Sequence, residues 1–236
     1  MQQKEKLNKN KIFSERLLFL QAVLKFFLGV VLVGVLIFLP AGTFSYFGGW
    51  LLMGILFLPM FLAGIVMMAK NPALLKGRLD AKEKQKEQSL VVKLSGLMFI
   101  AGFVLAGLGV RFGWYRLPEW AVYVSAAAFL CAYALYGEVL RENTYLSRTI
   151  RVQEGQKVID TGLYGIVRHP MYSATLLLFL SMPLVLGSVY SFLIFLAYPI
   201  LIATRIKHEE ALLEKELPGY REYKEKVKYR LIPWVW

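Results

Sequence analysis

The sequence predicts an all-α, polytopic integral membrane protein of about six transmembrane helices, the last two joined as a C-terminal helical hairpin. Three observations predict it: apolar runs long enough to cross a bilayer, a composition too apolar for a soluble domain, and basic residues confined almost wholly to alternate connections. Of 236 residues, 57% are hydrophobic and 19% charged, against about 25% charged in an average soluble domain. The same numbers exclude a disordered, collagenous or coiled-coil chain. One cysteine, Cys131, excludes an intramolecular disulfide and a thiolate metal cluster, and no metal site is expected.

The spans follow in order. Residues 17–39 carry one charge, Lys25; residues 48–69 carry none. Residues 90–110 contain only Lys93, near the start, and 121–139 only Glu138, near the end. A hydrocarbon core of about 30 Å needs about 20 helical residues, so each run can cross. Two shorter runs, 171–186 and 189–204, are joined at Gly187-Ser188 with no charge between His169 and Arg205, and read as the hairpin. The basic residues before the first run resemble those of a secretory leader, but the run exceeds the roughly 7–15 apolar residues of one; a retained first helix is expected. Glycines at 29, 34, 48, 49, 54, 64, 96, 102, 107 and 109 predict close helix packing within the spans. The GLGVRFG string begun by Gly107 lies at a span end with no strand before it, so it is not read as a nucleotide loop.

Charge sets the orientation. The N-terminal tail, the 70–89 connection, residues 141–170 and the tail from Arg205 together hold 24 lysines and arginines; the opposite connections hold two, Arg111 and Arg116. The positive-inside rule then puts both termini in the cytoplasm, with Trp114, Tyr115 and Trp120 in an outer aromatic belt. The net charge of +12 is thereby assigned to orientation and to membrane lipid headgroups rather than to nucleic acid. The expected location is the cell membrane of a prokaryote. The run 82–88 reads as a solvated loop, and oligomeric state is left open.

Polar residues concentrate after the fourth span, dividing the chain into a four-helix region, 1–140, and a chemistry-bearing region, 141–236. Two polar stretches flank the hairpin, RENTYLSRTIRVQEGQKVIDTGLYGIVRHPMY (141–172) and RIKHEEALLEKELPGYREYKEKVKYRLIPWVW (205–236). Antiparallel arms make their ends neighbours, so Arg168-His169 should lie beside Arg205 and Glu209. Pro170 suits the first position of a helix, whose free N–H groups, with Arg168 and His169, favour an anion such as a carboxylate. Arg205 and Glu209, spaced i and i+4, share a helix face, and Glu210 points about 100° away. A carboxylate beside a fork-shaped guanidinium suits a zwitterionic small molecule together with an anionic substrate. Glu138 and Arg141 read as a structural ion pair, His208 as solvated, Asn143 as a support for the site, and Tyr220, Tyr223 and Tyr229 as packing.

The string GLYGIVRHPMY (162–172), the apolar hairpin, Arg205 with Glu209-Glu210, and ELPGYREYKEKVKYRLIP (216–233) together resemble the isoprenylcysteine carboxyl methyltransferase family, over about residues 143–233. Phospholipid methyltransferases and some membrane sterol reductases share a similar RHPxY hairpin. The resemblance implies methyl transfer from S-adenosylmethionine, with S-adenosylhomocysteine as product, at a cytoplasmic cofactor site reached by a lipophilic small-molecule or lipid-modified acceptor from the bilayer. It implies cofactor contacts from Gln153, Gln156, Lys157, Val158, Ile159 and Tyr164, the last covering the adenosine. His169, Pro170, Met171 and Tyr172 would hold the amino-acid end, and Glu209 its amine. Arg205 would hold and aim the acceptor's carboxylate, making Arg205 and Glu209 the catalytic pair. Gln156 stands where the family often has His, and cannot titrate. The alternatives are a phospholipid N-methyltransferase, a nicotinamide-dependent reductase, and a non-catalytic scaffold or carrier.

Overall fold

The computed structural model describes residues 2–79, 86–146 and 152–236, the side chains of 2–15, 86 and 87 excepted. The described chain is helical: α1 (Gln2–Ala41), α2 (Phe47–Lys70), α3 (Pro72–Leu79), α4 (Lys86–Arg111), α5 (Glu119–Glu142), a 3-10 turn (Gly162–Gly165), α6 (Pro170–Val185), α7 (Val189–Phe195), α8 (Tyr198–Glu216) and α9 (Tyr220–Lys226).

Five helical stretches are long and apolar enough to cross a membrane: Arg16–Ala41, Phe47–Lys70, Gln88–Arg111, Glu119–Glu142 and Val189–Glu216. The expected six spans thus become five long ones and a short one. The arm Pro170–Val185 has 16 residues, about 24 Å at about 1.5 Å per residue. Pro170 starts it and Gly187, at φ +69°, turns the chain after it. The return arm is longer: α7 gives way at Leu196-Ala197 and the chain continues as α8 to Glu216. Ser188 caps α7, its hydroxyl accepting the Ser191 N–H at 3.2 Å.

The described parts of the 70–89 connection, 70–79 and 86–89, are largely helical, which the sequence does not suggest. Asn71 caps α3 by accepting the Leu74 N–H at 3.1 Å, Pro72 takes the first helical position, and Leu74 and Leu75 are buried. Lys25, the charge inside the first apolar run, donates to the Leu79 carbonyl at 2.8 Å, serving an end that has no intrahelical partner. Of the supposed solvated run, 82–85 lie outside the described residues, while Gln88 is fully buried at the start of α4, its amide 3.4 Å from the Arg205 carbonyl.

The core joins α1, α2, α4, α5 and the hairpin around Ile37, Tyr46, Leu52, Phe129, Val185 and Phe195. Phe99 meets Phe179 and Phe195 edge-on at 4.8 and 5.2 Å. The Tyr46 hydroxyl donates to the Leu186 carbonyl at 2.6 Å, pinning the hairpin turn to the start of α2. Large apolar side chains of α1 and α2, among them Leu24, Leu28, Leu32, Leu58 and Leu62, face outward, as lipid-facing residues must.

Glycine packing divides. A Cβ on Gly48 would sit 2.8 Å from the Val185 carbonyl oxygen, and one on Gly107 2.5 Å from that of Ile37. Gly54, Gly64 and Gly96 face open space, so for these three the expectation of close packing fails. Gly48→Val should therefore cost about 1–3 kcal/mol, read as a lower melting temperature in detergent, while Gly64→Ala should leave melting nearly unchanged.

Candidate functional site

The two polar stretches meet. The start of α6 is sewn to the C-terminal tail: the backbone N–H groups of Arg168 and His169 donate to the carbonyls of Tyr229 and Arg230, both at 2.9 Å. The Ser173 hydroxyl donates to the Leu231 carbonyl at 2.6 Å. The Arg168 guanidinium reaches the Val227 and Lys228 carbonyls at 2.6 and 2.8 Å, and through Nε the carboxylate of Glu210 at 2.7 Å. Glu210 also faces His169 Nε2 at 3.2 Å and Arg230 Nε at 2.9 Å. It is 3% exposed. This corrects the expectation that Arg168 serves an anionic ligand: its donors are taken by Glu210 and the tail, because the turn of α8 that aims Glu209 one way aims Glu210 into this junction. In the first turn of α6, the Tyr172 and Ser173 N–H groups donate to the His169 carbonyl at 2.9 and 3.1 Å.

Glu209 and Arg205 come together on one phenol. The Tyr172 hydroxyl donates to Glu209 Oε2 at 2.5 Å and accepts from Arg205 Nε at 3.0 Å. Opposite charges thus flank a single oxygen beside the first turn of α6. The His169 and Tyr172 rings stack at 5.8 Å.

The loop before α6 closes the other side. The Glu142 carboxylate accepts the Leu163 N–H at 3.0 and 3.2 Å, and Asn143 donates to the Tyr164 hydroxyl at 3.0 Å. The Tyr223 hydroxyl donates to the Tyr164 carbonyl at 2.8 Å, and Lys226 pairs with Asp160 at 2.6 Å. Burial pushes the Tyr164 and Tyr223 hydroxyls above the usual tyrosine range. The hydrogen bond from Lys226 holds the exposed Asp160 carboxyl below its usual range.

These elements enclose a cleft of about 840 Å³, its mouth included. Of the residues singled out from sequence, Gln156, Lys157, Val158, Ile159, Tyr164, His169, Met171, Tyr172, Arg205 and Glu209 line it. Gln153 and Pro170 do not. Gln153 turns its amide to the Tyr145 carbonyl and its N–H to Gln156 Oε1, and Pro170 is buried behind the first turn. Tyr220 and Tyr223 line the cleft rather than only packing the tail. His208 is half-buried with Nδ1 fully enclosed, not solvated. Glu138 and Arg141 form the expected exposed pair, at 2.5 and 2.8 Å.

Arg78 of α3 had no signal in the sequence. Its guanidinium lies 5.5 Å from the Tyr136 ring centre, bonds that hydroxyl, and sits 3.9 Å from Met171 Sδ at the cleft wall. Glu210 was visible only as the neighbour of Glu209. Nothing in sequence spacing says which of two adjacent carboxylates turns inward. Among the described residues, no cluster of His, Cys, Asp and Glu could hold a metal ion.

Residues 119–218 match the family model "Phospholipid methyltransferase". The match spans α5 to the end of α8 and takes in all of the cleft lining except Tyr220 and Tyr223. The chain is also similar to a Delta(14)-sterol reductase of Methylotuvimicrobium alcaliphilum, 25% identical over 137 residues. That alignment covers 52% of this chain and 32% of the relative. The Delta(14)-sterol reductase TM7SF2 of Mus musculus is 32% identical over 91 residues, 37% of this chain and 22% of the relative. The chain thus spans between a fifth and a third of the curated relatives it matches. Residues 119–218 are thus similar to a membrane methyltransferase segment, and the two reductases are distant matches.

Glu210→Gln should be the most damaging single change at the site. Loss of a buried carboxylate strands two guanidiniums, a cost of about 3–5 kcal/mol for a broken buried pair. Thermal unfolding in detergent should show a large drop in melting temperature, and Glu210→Asp, one methylene shorter, an intermediate one.

Proposed function

We propose that the protein is an integral membrane methyltransferase that uses S-adenosylmethionine to methylate a lipophilic acceptor, with a carboxylate as the favoured nucleophile. The observation that carries this reading is the pair of opposite charges on Tyr172: Glu209 on one side, Arg205 on the other. Four tyrosines, Tyr164, Tyr172, Tyr220 and Tyr223, line the cleft around that pair. Aromatic faces and one carboxylate suit a ligand that carries a sulfonium and an ammonium. The residues present therefore fit the cofactor. When bound, it supplies a methyl group on an activated leaving group.

The work left to the chain is alignment and exclusion of water. Glu209 neutralises the cofactor's amine. Tyr172, fixed by Glu209 and Arg205 together, spaces the two ligands. Arg205 holds the acceptor carboxylate through its planar fork and would aim one carboxylate oxygen at the methyl group that the cofactor would supply, its sulfur leaving as the neutral thioether. An ionised carboxylate needs no general base. A protonated amine would need one, and His169 Nε2 faces Glu210 while Glu209 Oε2 is bonded by Tyr172. This disfavours phospholipid N-methylation within the same fold. The positive-inside asymmetry supports a cytoplasmic cleft with both termini on that side. A carrier is disfavoured because the polar residues crowd one end of the bundle rather than mid-membrane.

The second reading is a reductase, favoured by its likeness to the two sterol reductases. Calorimetry on detergent-solubilised protein separates them. S-adenosylhomocysteine should bind with micromolar affinity, and Glu209→Ala and Tyr164→Ala should each abolish it. Arg205→Lys should keep that affinity within about threefold yet lower methyl transfer at least tenfold, since a point charge does not replace the fork. Binding of NADPH with no binding of S-adenosylhomocysteine would establish the reductase instead.

A further inference from the structure

Tyr220 has an unmet bond. Gly219, at φ +84°, turns the chain from the end of α8 into α9 and delivers this side chain to the cleft wall. Tyr220 is 4% exposed, and its hydroxyl is buried with no hydrogen-bond partner among the described residues. Tyr223, three residues on, is satisfied by the Tyr164 carbonyl. A buried polar atom without a partner gives up its hydration with no return, and in a native structure such an atom asks for a partner from outside the chain.

The surroundings say what that partner is. Burial first, then the negative charges of Glu210 and Glu209, keeps the Tyr220 hydroxyl protonated well above its usual range. Glu210 is consumed by Arg168, His169 and Arg230. Glu209 lines the cleft with Tyr220. Tyr220 and Glu209 thus belong to the wall of one cleft. A phenol can accept from an ammonium or donate to a carboxylate, the two groups of an amino-acid moiety.

We propose that Tyr220 is a ligand-binding residue whose hydroxyl hydrogen-bonds the amino-acid end of the cofactor beside Glu209, an inference that rests on the methyl-transfer reading of the cleft. Tyr220 lies beyond the 119–218 match, so this contact belongs to the tail rather than to the matched segment.

The test is Tyr220→Phe in the full-length protein, titrated with S-adenosylhomocysteine and with 5′-methylthioadenosine, which lacks the amino-acid end. Affinity for the first should fall about tenfold and for the second stay within twofold. Melting of the ligand-free variant should match wild type, because no intramolecular bond is lost, whereas Tyr223→Phe should melt lower. Unchanged affinity for S-adenosylhomocysteine would overturn the proposal and assign the hydroxyl to solvent. Equal losses for both ligands would overturn it too, by moving the contact to the nucleoside. Failure of wild type to bind S-adenosylhomocysteine would remove the methyl-transfer reading itself, a result distinct from a variant that binds as wild type does.

Discussion

One buried carboxylate holds the site together. Glu210 receives Arg168 from the start of α6, Arg230 from the tail, and faces His169. An isolated charge at 3% exposure would be prohibitive, and several oriented donors are what make such burial tolerable. The junction also fixes three segments far apart in sequence: residues 168–173, α8 and 227–231. The first two of these segments line the cleft, so its shape depends on the junction even though Glu210 does not line it. The division of labour between Glu209 and Glu210 follows from helical geometry. Adjacent residues differ by about 100°, so one carboxylate serves the cleft and the other the scaffold behind it.

Unequal hairpin arms bring that charged junction close to lipid. With about 24 Å in α6 and a hydrocarbon core of about 30 Å, a hairpin whose turn sits at one boundary brings the start of α6 about 6 Å inside the other. Polar groups at that depth need partners within the protein. This accounts for the density of bonds there: Ser173 on Leu231, Tyr172 between Glu209 and Arg205, Arg168 on two tail carbonyls. For the proposed lipophilic acceptor it makes a short path from the bilayer to Tyr172. α3 covers the same region from the N-terminal part of the chain, tied by Lys25 to α1 and by Arg78 to Tyr136 of α5.

What was legible in the sequence was set by length and topology. The spans declare themselves by uncharged runs, and an antiparallel hairpin forces 168–172 and 205–209 together whatever the details. His169, Arg205 and Glu209, placed by that topology, surround one cleft together with seven residues implied by the family resemblance: Gln156, Lys157, Val158, Ile159, Tyr164, Met171 and Tyr172. What was not legible depends on side-chain direction. Gln153 and Gln156 are close in sequence, yet Gln153 spends its amide on Tyr145 and only Gln156 reaches the cleft. Glu210 looked like a spare neighbour because its partner Arg230 lies 20 residues further on. Gln88, inside a charged run, is buried because α4 begins earlier than the apolar pattern. Tyr220 and Tyr223 read as packing because periodicity reports burial, and a residue that lines a closed cleft is as buried as one in a core.

The matched segment 119–218 and the two reductase names raise the question of how one scaffold could serve two cofactors. The scaffold terms are indifferent to cofactor: the Glu210 junction, the hairpin and the turn held by Glu142 all work on backbone and on each other. Discrimination has to come from the cleft lining. A nicotinamide dinucleotide brings phosphates, and would call for several arginines or lysines facing it. Here Arg168 is bonded to Glu210 and the tail carbonyls, Arg205 shares Tyr172 with an acid, and Glu209 adds a negative charge. Lys157 also lines the cleft, so repulsion of a phosphate is confined to the end that Glu209 borders, where a cation meets attraction. The sign of charge at Glu209, more than the fold around it, is therefore the physical feature on which the proposed use of a cationic methyl donor rests.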